Sequence, residues 1–565
     1  MDLNKFLYKY GEKKTKLSTF RIKRVAISFA VILFLLLASS LFAQSGFIQT
    51  EGTLLKDETG TPYRIQGIAF GNNVWQNPSL PVTTHHNERD YQRLNEMGFN
   101  SVRFYINYGL FESDSNPYQY KESGFLWIDK NIAWAKKYGI RLILNMHYPQ
   151  GGYQSNGNGS ALWNDSTNQE RLIALWKAIA SRYANEPTIL GYSLLNEPFL
   201  EHSFKEYELL LKGLVHEIRS VDPLHIIIIE KANALRWAWN DNENKNLNFV
   251  MIKDSNIMYE FHFYEPIEFT HQNASWTGVK GMFATYPNPD MYKVSGDTKW
   301  ESTTWDSPKL DVKKKSNKNK WVFIQSPLIK VENEDFSVGA PVFMAKDLGR
   351  RGKAWANGFV IKEYDENKKF VKIIMDSDGI DKNGWYYWSA NGSGTGTSID
   401  TPYISKKSLY VEGSTSDGNM TFSNGNFPLT QGHYYQLSGY IKVKNVDKNA
   451  DVRLRLDYYS LNGTIGPLDK SYLELRMKKF IDWGKENNVP LYLGEFGVIA
   501  DGFTNNRGGL IWVGDVIDIC KKNGINFNYH TYHEYKSFGL YRTGAEKLPE
   551  DLNVPLANLF KKKLK

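Results

Sequence analysis

ILGYSLLNE, residues 189–197, is an apolar run of strand length that closes on an amide and a carboxylate. On either side of it, NQERLIALWKAIASRYA and FKEYELLLKGLVHEIRS repeat apolar residues at i, i+3, i+4 and i+7, the period of an amphipathic helix. A strand between two such helices is one unit of a parallel α/β sheet. The same rhythm continues outward in both directions, and strands are expected at 64–70, 101–105, 141–147, 225–230, 256–264, 491–496 and 526–533. Helices are expected from ERDYQRLNEMG, FLWIDKNIAWAKKYG, SYLELRMKKFIDWGKENN and LIWVGDVIDICKKNG, and Gly98, Gly139 and Gly524 stand where helix C-caps do, just ahead of the next strand. Eight strands alternating with helices predict the α/β class and a (β/α)8 TIM barrel.

The rhythm breaks once. After the sixth strand, about 200 residues intervene where a barrel connection needs a handful. Here the helical period gives way to short alternating segments, WVFIQ, NGFVIKEY, KFVKIIM, GWYYWSA, YYQLSGYIKV and DVRLRLDYYS, divided by Gly, Asn, Asp and Ser turns. An all-β sandwich inserted between strand six and the following helix accounts for this, because lengthening a loop adds little closure entropy. The expected organisation is a segment at 1–45, a first barrel part at 46–304, an inserted sandwich at 305–466 and a second barrel part at 467–565. A connection leaving strand six starts from the C-terminal rim, where barrel enzymes hold their active sites, so the insert is expected beside the cleft.

Composition narrows the function classes. The formal charge is +8, but residues 1–24 carry eight Lys and Arg against Asp2 and Glu12, a net +6, so the rest is nearly neutral and nucleic acid is not an expected partner. The uncharged apolar run at 26–43 follows that basic stretch, the pattern of a secretory signal or of an uncleaved anchor through residues 25–43, and export follows from either. Cys520 is the only cysteine and sits at helical apolar spacing, which reads as a buried structural thiol. Sixteen Trp and 34 Tyr are ample for a core and for flat rings under sugars, and both uses remain open for Trp385, Tyr386, Tyr387 and Trp388.

The polar residues closing the strands carry the chemistry: Arg103, His147, Asn196 with Glu197, His262 with Tyr264, Glu495 and His530. A buried strand has no use for an unpaired charge at its end, so a gathering of such residues at the C-terminal ends of barrel strands reads as catalytic. A lone glutamate there can equally be a salt-bridge partner or a metal ligand. Two of them, in LLNEPF on strand four and LGEFG on strand seven, meet the need of glycoside hydrolysis for paired carboxylates. His530, His533, Glu534 and the His85–His86 pair do not form a metal-binding pattern, since His530 and His533 on one strand point to opposite faces. No metal and no cofactor is expected.

In combination, SVRF, NMH, NEP, HFY and then GEFG resemble glycoside hydrolase family 5, the cellulase family, over about 50–300 and 467–555. The resemblance implies Glu197 as acid/base, Glu495 as nucleophile and a retaining mechanism with the two carboxyls about 5 Å apart. It further implies that Asn196 bonds the sugar 2-hydroxyl, Arg103 holds Glu495 ionised, Tyr264 donates to Glu495, His262 orients Glu197, and His147 binds sugar beside the scissile bond. The family usually ends strand eight with a Trp; here the strand reads NYHTYHEY, and His530 takes that place by spacing, with Tyr532 next to it. The insert resembles jelly-roll carbohydrate-binding modules. The expectation is a monomeric, exported endo-acting β-1,4-glucanase on cellulose or mixed-linked glucan. Mannanase and xyloglucanase activities are alternatives within the family, and a catalytically silent glycan-binding surface protein is the alternative from another class.

Overall fold

The computed structural model describes residues 46–565 apart from 72–73, 75–85, 236–245, 305–306, 308, 378–379, 381–384, 425, 535–536 and 543–546. The signal or anchor expected within 1–45, and His85, lie outside the described residues. Among the described residues no helix is long and apolar enough to cross a membrane.

Eight parallel strands close into a barrel in sequence order: β1 (Gln66–Phe70), β2 (Ser101–Asn107), β3 (Arg141–Tyr148), β4 (Ile189–Ser193), β5 (Ile226–Glu230), β6 (Ile257–His262), β7 (Leu491–Phe496) and β8 (Asn526–Tyr529). Around it pack α1 (Glu88–Met97), α2 (Glu122–Lys137), α3 (Ser166–Tyr183), α4 (Phe204–Arg219), α5 (Lys470–Glu486), α6 (Gly509–Asn523) and α7 (Val554–Leu564). The starts and stops have local causes. Asn87 and Asp90 form a capping box on α1, and Asp469 accepts hydrogen bonds from the Ser471 and Tyr472 backbone N–H groups at the start of α5. Gly98 ends α1 at φ +94°, a left-handed conformation that a Cβ would strain.

Strand alternation divides the core in two. Val102, Phe104, Ile106, Leu142, Leu144, Ile227 and Ile229 face outward and pack under the helices, while Ile143, Ile226, Ile228, Met258 and Tyr492 face inward. The inward set fills the N-terminal end of the barrel and is covered there by Ile48 and Leu55, which flank and enter a small antiparallel sheet of Gln49–Glu51, Leu54–Lys56 and Pro62–Tyr63. Each such side chain removed from water contributes about 1.5–3 kcal/mol. Cys520 lies fully buried on α6, and burial pushes its thiol pKa up.

The insert is two packed antiparallel sheets. One runs in the order Asn288–Thr303, Asp451–Leu468, Val338–Lys346, Asn419–Asn424, Trp385–Ser389; the other runs Val322–Gln325, Tyr434–Lys444, Lys353–Tyr364, Ser408–Gly413, Gly394–Ile399. Its first strand begins at Asn288, ahead of the expected edge at 305. That strand is mostly half-exposed or exposed and lacks apolar alternation, so nothing in its composition marks it as sheet. It pairs with the last strand of the insert from Asn288↔Leu468 to Thr303↔Asp457, so both ends of the insert leave the barrel side by side. A long excursion therefore closes over a short gap and leaves the β6–α5 connection of the barrel intact.

Candidate active site

Period-two alternation decides which rim residues enter the barrel. With Val102, Phe104 and Ile106 turned outward on β2, Arg103 and Tyr105 must turn inward; with Ile227 and Ile229 outward on β5, Glu230 turns inward; with Tyr259 and Phe261 outward on β6, Glu260 and His262 turn inward. On β7 the count needs a correction. Tyr492 faces inward, so strict alternation would turn Glu495 outward, but the register slips between Leu493 and Glu495 against β6, and that irregularity re-aims the carboxylate. Gly494 is the residue that permits it, since a Cβ there would lie 1.7 Å from Glu260 Oε1.

The eight predicted residues meet in one cluster. Arg103 Nη1 donates to Glu495 Oε1 at 2.7 Å and Nη2 donates to Asn196 Oδ1 at 2.9 Å, while Nη2 also sits 2.8 Å from Glu260 Oε1. Tyr264 Oη donates to Glu495 Oε2 at 2.9 Å. His262 Nδ1 lies 3.0 Å from Glu197 Oε1 and 3.7 Å from Glu495 Oε2. Both carboxylates thus reach one nitrogen, which holds their facing oxygens near each other, an arrangement compatible with the about 5–5.5 Å separation of retaining pairs. His147 stacks on the Tyr105 ring, centroids 4.0 Å apart, and His530 Nδ1 lies 3.0 Å from Tyr105 Oη. Tyr532, the neighbouring candidate, instead bonds Asp90 at 2.9 Å behind the barrel wall. His86 and His533 meet edge to face at 5.2 Å, with His86 stacked on Phe70, as packing rings.

Three members escaped the sequence reading. Tyr105 Oη donates to Glu495 Oε1 at 2.6 Å, Glu230 Oε2 accepts the backbone N–H of Glu197 at 3.0 Å, and Glu260 accepts from Ser193 Oγ at 2.7 Å as well as facing Arg103. Their signals were present: Glu230 closes HIIIIE as Glu197 closes its own strand, while Tyr105 and Glu260 stand two residues from Arg103 and His262 on the same face. Glu197 itself adopts φ +43°, a strained conformation costing about 1–3 kcal/mol for a residue with a Cβ, and the bond to Glu230 helps to hold it.

Burial and charge set the protonation pattern. Burial alone would raise the pKa of Glu495, yet the fields of His262, His530 and Arg103 outweigh it and hold the carboxyl well below the usual carboxylate range. Burial alone would discharge His262, but Glu230, Glu495, Glu197 and Glu260 around it raise its pKa well above the ordinary value. Burial pushes the Glu230 carboxyl up to about 8, against the opposing field of His262. Glu197, Glu230 and His262 bring metal-ligand atoms within 4.8 Å of one another, and in this structure they face one another, with His262 Nδ1 3.0 Å from Glu197 Oε1 and Nε2 3.5 Å from Glu230 Oε1. With Glu495 ionised so far down the scale, the acid limb of the kcat/KM profile is expected below the ordinary glutamate value of 4.5. A limb at or above that pH would contradict this electrostatic reading.

In the insert, the aromatic run splits as alternation demands. Trp385 is buried against Phe359 and Tyr387 packs on Phe422, while Tyr386 and Trp388 are about half exposed.

A parallel barrel with a facing pair of glutamates at its rim is the architecture of a TIM-barrel glycosidase. Residues 56–325 match the cellulase model of glycosyl hydrolase family 5, and residues 373–479 match the model of a carbohydrate binding domain. Among curated relatives, Endoglucanase C of Acetivibrio thermocellus is 35% identical over 195 residues, covering 34% of this chain and 53% of the relative. Cellodextrinase A of Ruminococcus flavefaciens is 29% identical over 192 residues, covering 34% and 54%. The chain thus spans about half the length of the curated relatives it matches. The solved structure of Thermotoga maritima Cel5A with cellobiose aligns at 18% identity and a TM-score of 0.45, over 87% of this chain and 96% of that one.

Proposed function

We propose that the protein is a retaining endo-β-1,4-glucanase in which Glu495 is the nucleophile and Glu197 the acid/base. The observation that carries this reading is the shared contact with His262 Nδ1, at 3.0 Å from one glutamate and 3.7 Å from the other, which brings two carboxylates of unlike surroundings to one sugar's width. Glu495 is almost buried among donors, with Arg103 and Tyr105 on one oxygen and Tyr264 on the other, and so waits as an anion. Glu197 keeps a fifth of its side-chain surface open, as a group that must reach a leaving oxygen and later a water needs to.

In the first step Glu495 attacks the anomeric carbon while Glu197 gives its proton to the glycosidic oxygen, and the bond to the leaving sugar breaks. In the second, Glu197 takes a proton from water, the water oxygen attacks the anomeric carbon, and Glu495 departs as carboxylate. Tyr105, Tyr264 and Arg103 release and regain the nucleophile's charge without moving, which is where preorganised donors act. Asn196, fixed by Arg103, bonds the 2-hydroxyl; His147 and His530, held on either side of Tyr105, contact the sugar. The similarity to endoglucanases of Acetivibrio thermocellus and Paenibacillus polymyxa supports β-1,4-glucan as substrate. The basic and apolar stretches at 1–24 and 26–43 support export.

Glu197→Gln tests the acid role. It keeps the shape and removes the proton, so hydrolysis of natural glucan should fall by about 10²–10⁴-fold while aryl glycosides with acidic phenol leaving groups retain a fast first step. Equal loss on both substrate types would overturn the assignment.

A further inference from the structure

Resting on the glucanase reading, we propose that the inserted sandwich supplies a glucan subsite of the catalytic cleft itself, with Tyr386 as its sugar-stacking ring. The sandwich is thereby part of the active-site wall as well as a separate binding surface. A cleft of about 720 Å³ runs between barrel and insert, and its lining includes His262, Tyr264, Lys293, Tyr386, Asn424 and Arg476. His262 and Tyr264 are also the residues bonded to Glu197 and Glu495, so the cleft adjoins the catalytic pair and reaches the insert, with room for further sugars of a chain.

The insert wall is fixed. The segment that follows β6 runs into the sandwich, where Val279 and Met282 are buried in the sandwich core, and Lys407 Nζ sits 4.3 Å above the Phe283 ring. Thr397 Oγ1 donates to the Lys280 carbonyl at 3.2 Å, and the Tyr386 ring abuts Gly278, where a Cβ would lie 2.9 Å from Cε2. Across the floor, Lys293 of the first sandwich strand pairs with Glu268 at 2.8 Å, and Arg476 of α5 pairs with Glu265 at 2.6 Å. A ring so held loses little entropy on binding, and 48% of Tyr386 remains exposed to take the apolar face of a pyranose. The Lys293 and Arg476 cations already have carboxylate partners, which fits an uncharged glycan better than a uronic acid polymer.

The test titrates cello-oligosaccharides from cellobiose to cellohexaose into the full chain carrying Glu495→Ala, so that binding is read without turnover. Affinity is expected to rise with length, and adding Tyr386→Ala should remove about tenfold of that rise for the longest ligand and least for cellobiose. Tyr386→Phe, which keeps the ring, should restore most of it. A length dependence unchanged by Tyr386→Ala would overturn the subsite, and so would an equal loss at every length, which would report a structural disturbance. Turnover by the wild-type chain judges the glucanase reading separately, and binding judges the subsite.

Discussion

Replacement of Glu495 by alanine is expected to cut glucan hydrolysis by roughly 10⁴-fold or more while leaving the chain folded. The neighbouring carboxylates of the network are engaged elsewhere: Glu260 faces Arg103 and Ser193 inside the wall, and Glu230 accepts the Glu197 backbone N–H. The truncation also vacates a pocket lined by Arg103, Tyr105, Tyr264 and His262, two of them cationic, which suits a small anion. Added azide or formate should therefore restore turnover of an activated aryl glycoside. Azide should leave a glycosyl azide of inverted anomeric configuration, because the anion attacks from the face the carboxylate occupied. The readouts are turnover by reducing-sugar release and product configuration by NMR. Near wild-type turnover in the variant, or rescue giving the retained configuration, would remove Glu495 from the nucleophile position.

The second large effect belongs to Arg103, a positioning residue. Its guanidinium is fully buried and lies within 4 Å of Glu230, Glu260 and Glu495. Arg103→Met fills the same space without the charge and deprives the three buried carboxyls of their shared guanidinium, at an expected cost of about 3–5 kcal/mol in unfolding free energy. The remaining protein relieves that strain by protonating a carboxylate. Arg103 is one of the groups that hold the Glu495 pKa down, so the acid limb of kcat/KM should move upward in pH in the variant. Urea titration gives the first quantity and a pH–rate profile the second. A destabilised variant whose acid limb stays in place would reduce Arg103 to a packing role.

Much of this architecture could be read from a chain met cold, and the reason is physical periodicity. Apolar spacing of 3.6 and 2 residues marked α1 to α6 and all eight strands, because each must bury one face or stripe to exist at all. The cap glycines at 98, 139 and 524 were legible for a related reason: each carries positive φ, which few other residues tolerate. Rim polarity made Glu197 and Glu495 visible, since charge at the end of a buried strand demands an explanation. Alternation made the Trp385–Trp388 split visible as well.

Sequence alone determined that this is an α/β barrel interrupted by β-structure, and which strand ends carry charge. Only the tertiary structure decided that the register slip at Gly494 turns Glu495 inward, that Tyr105, Glu230 and Glu260 join the network, and that the insert begins at Asn288 and faces the cleft with Tyr386. Periodicity is a property of neighbours along the chain and survives in the sequence. Register between strands, the pairing of residues hundreds of positions apart and the ionisation they impose on one another arise only when distant segments share one low-dielectric interior.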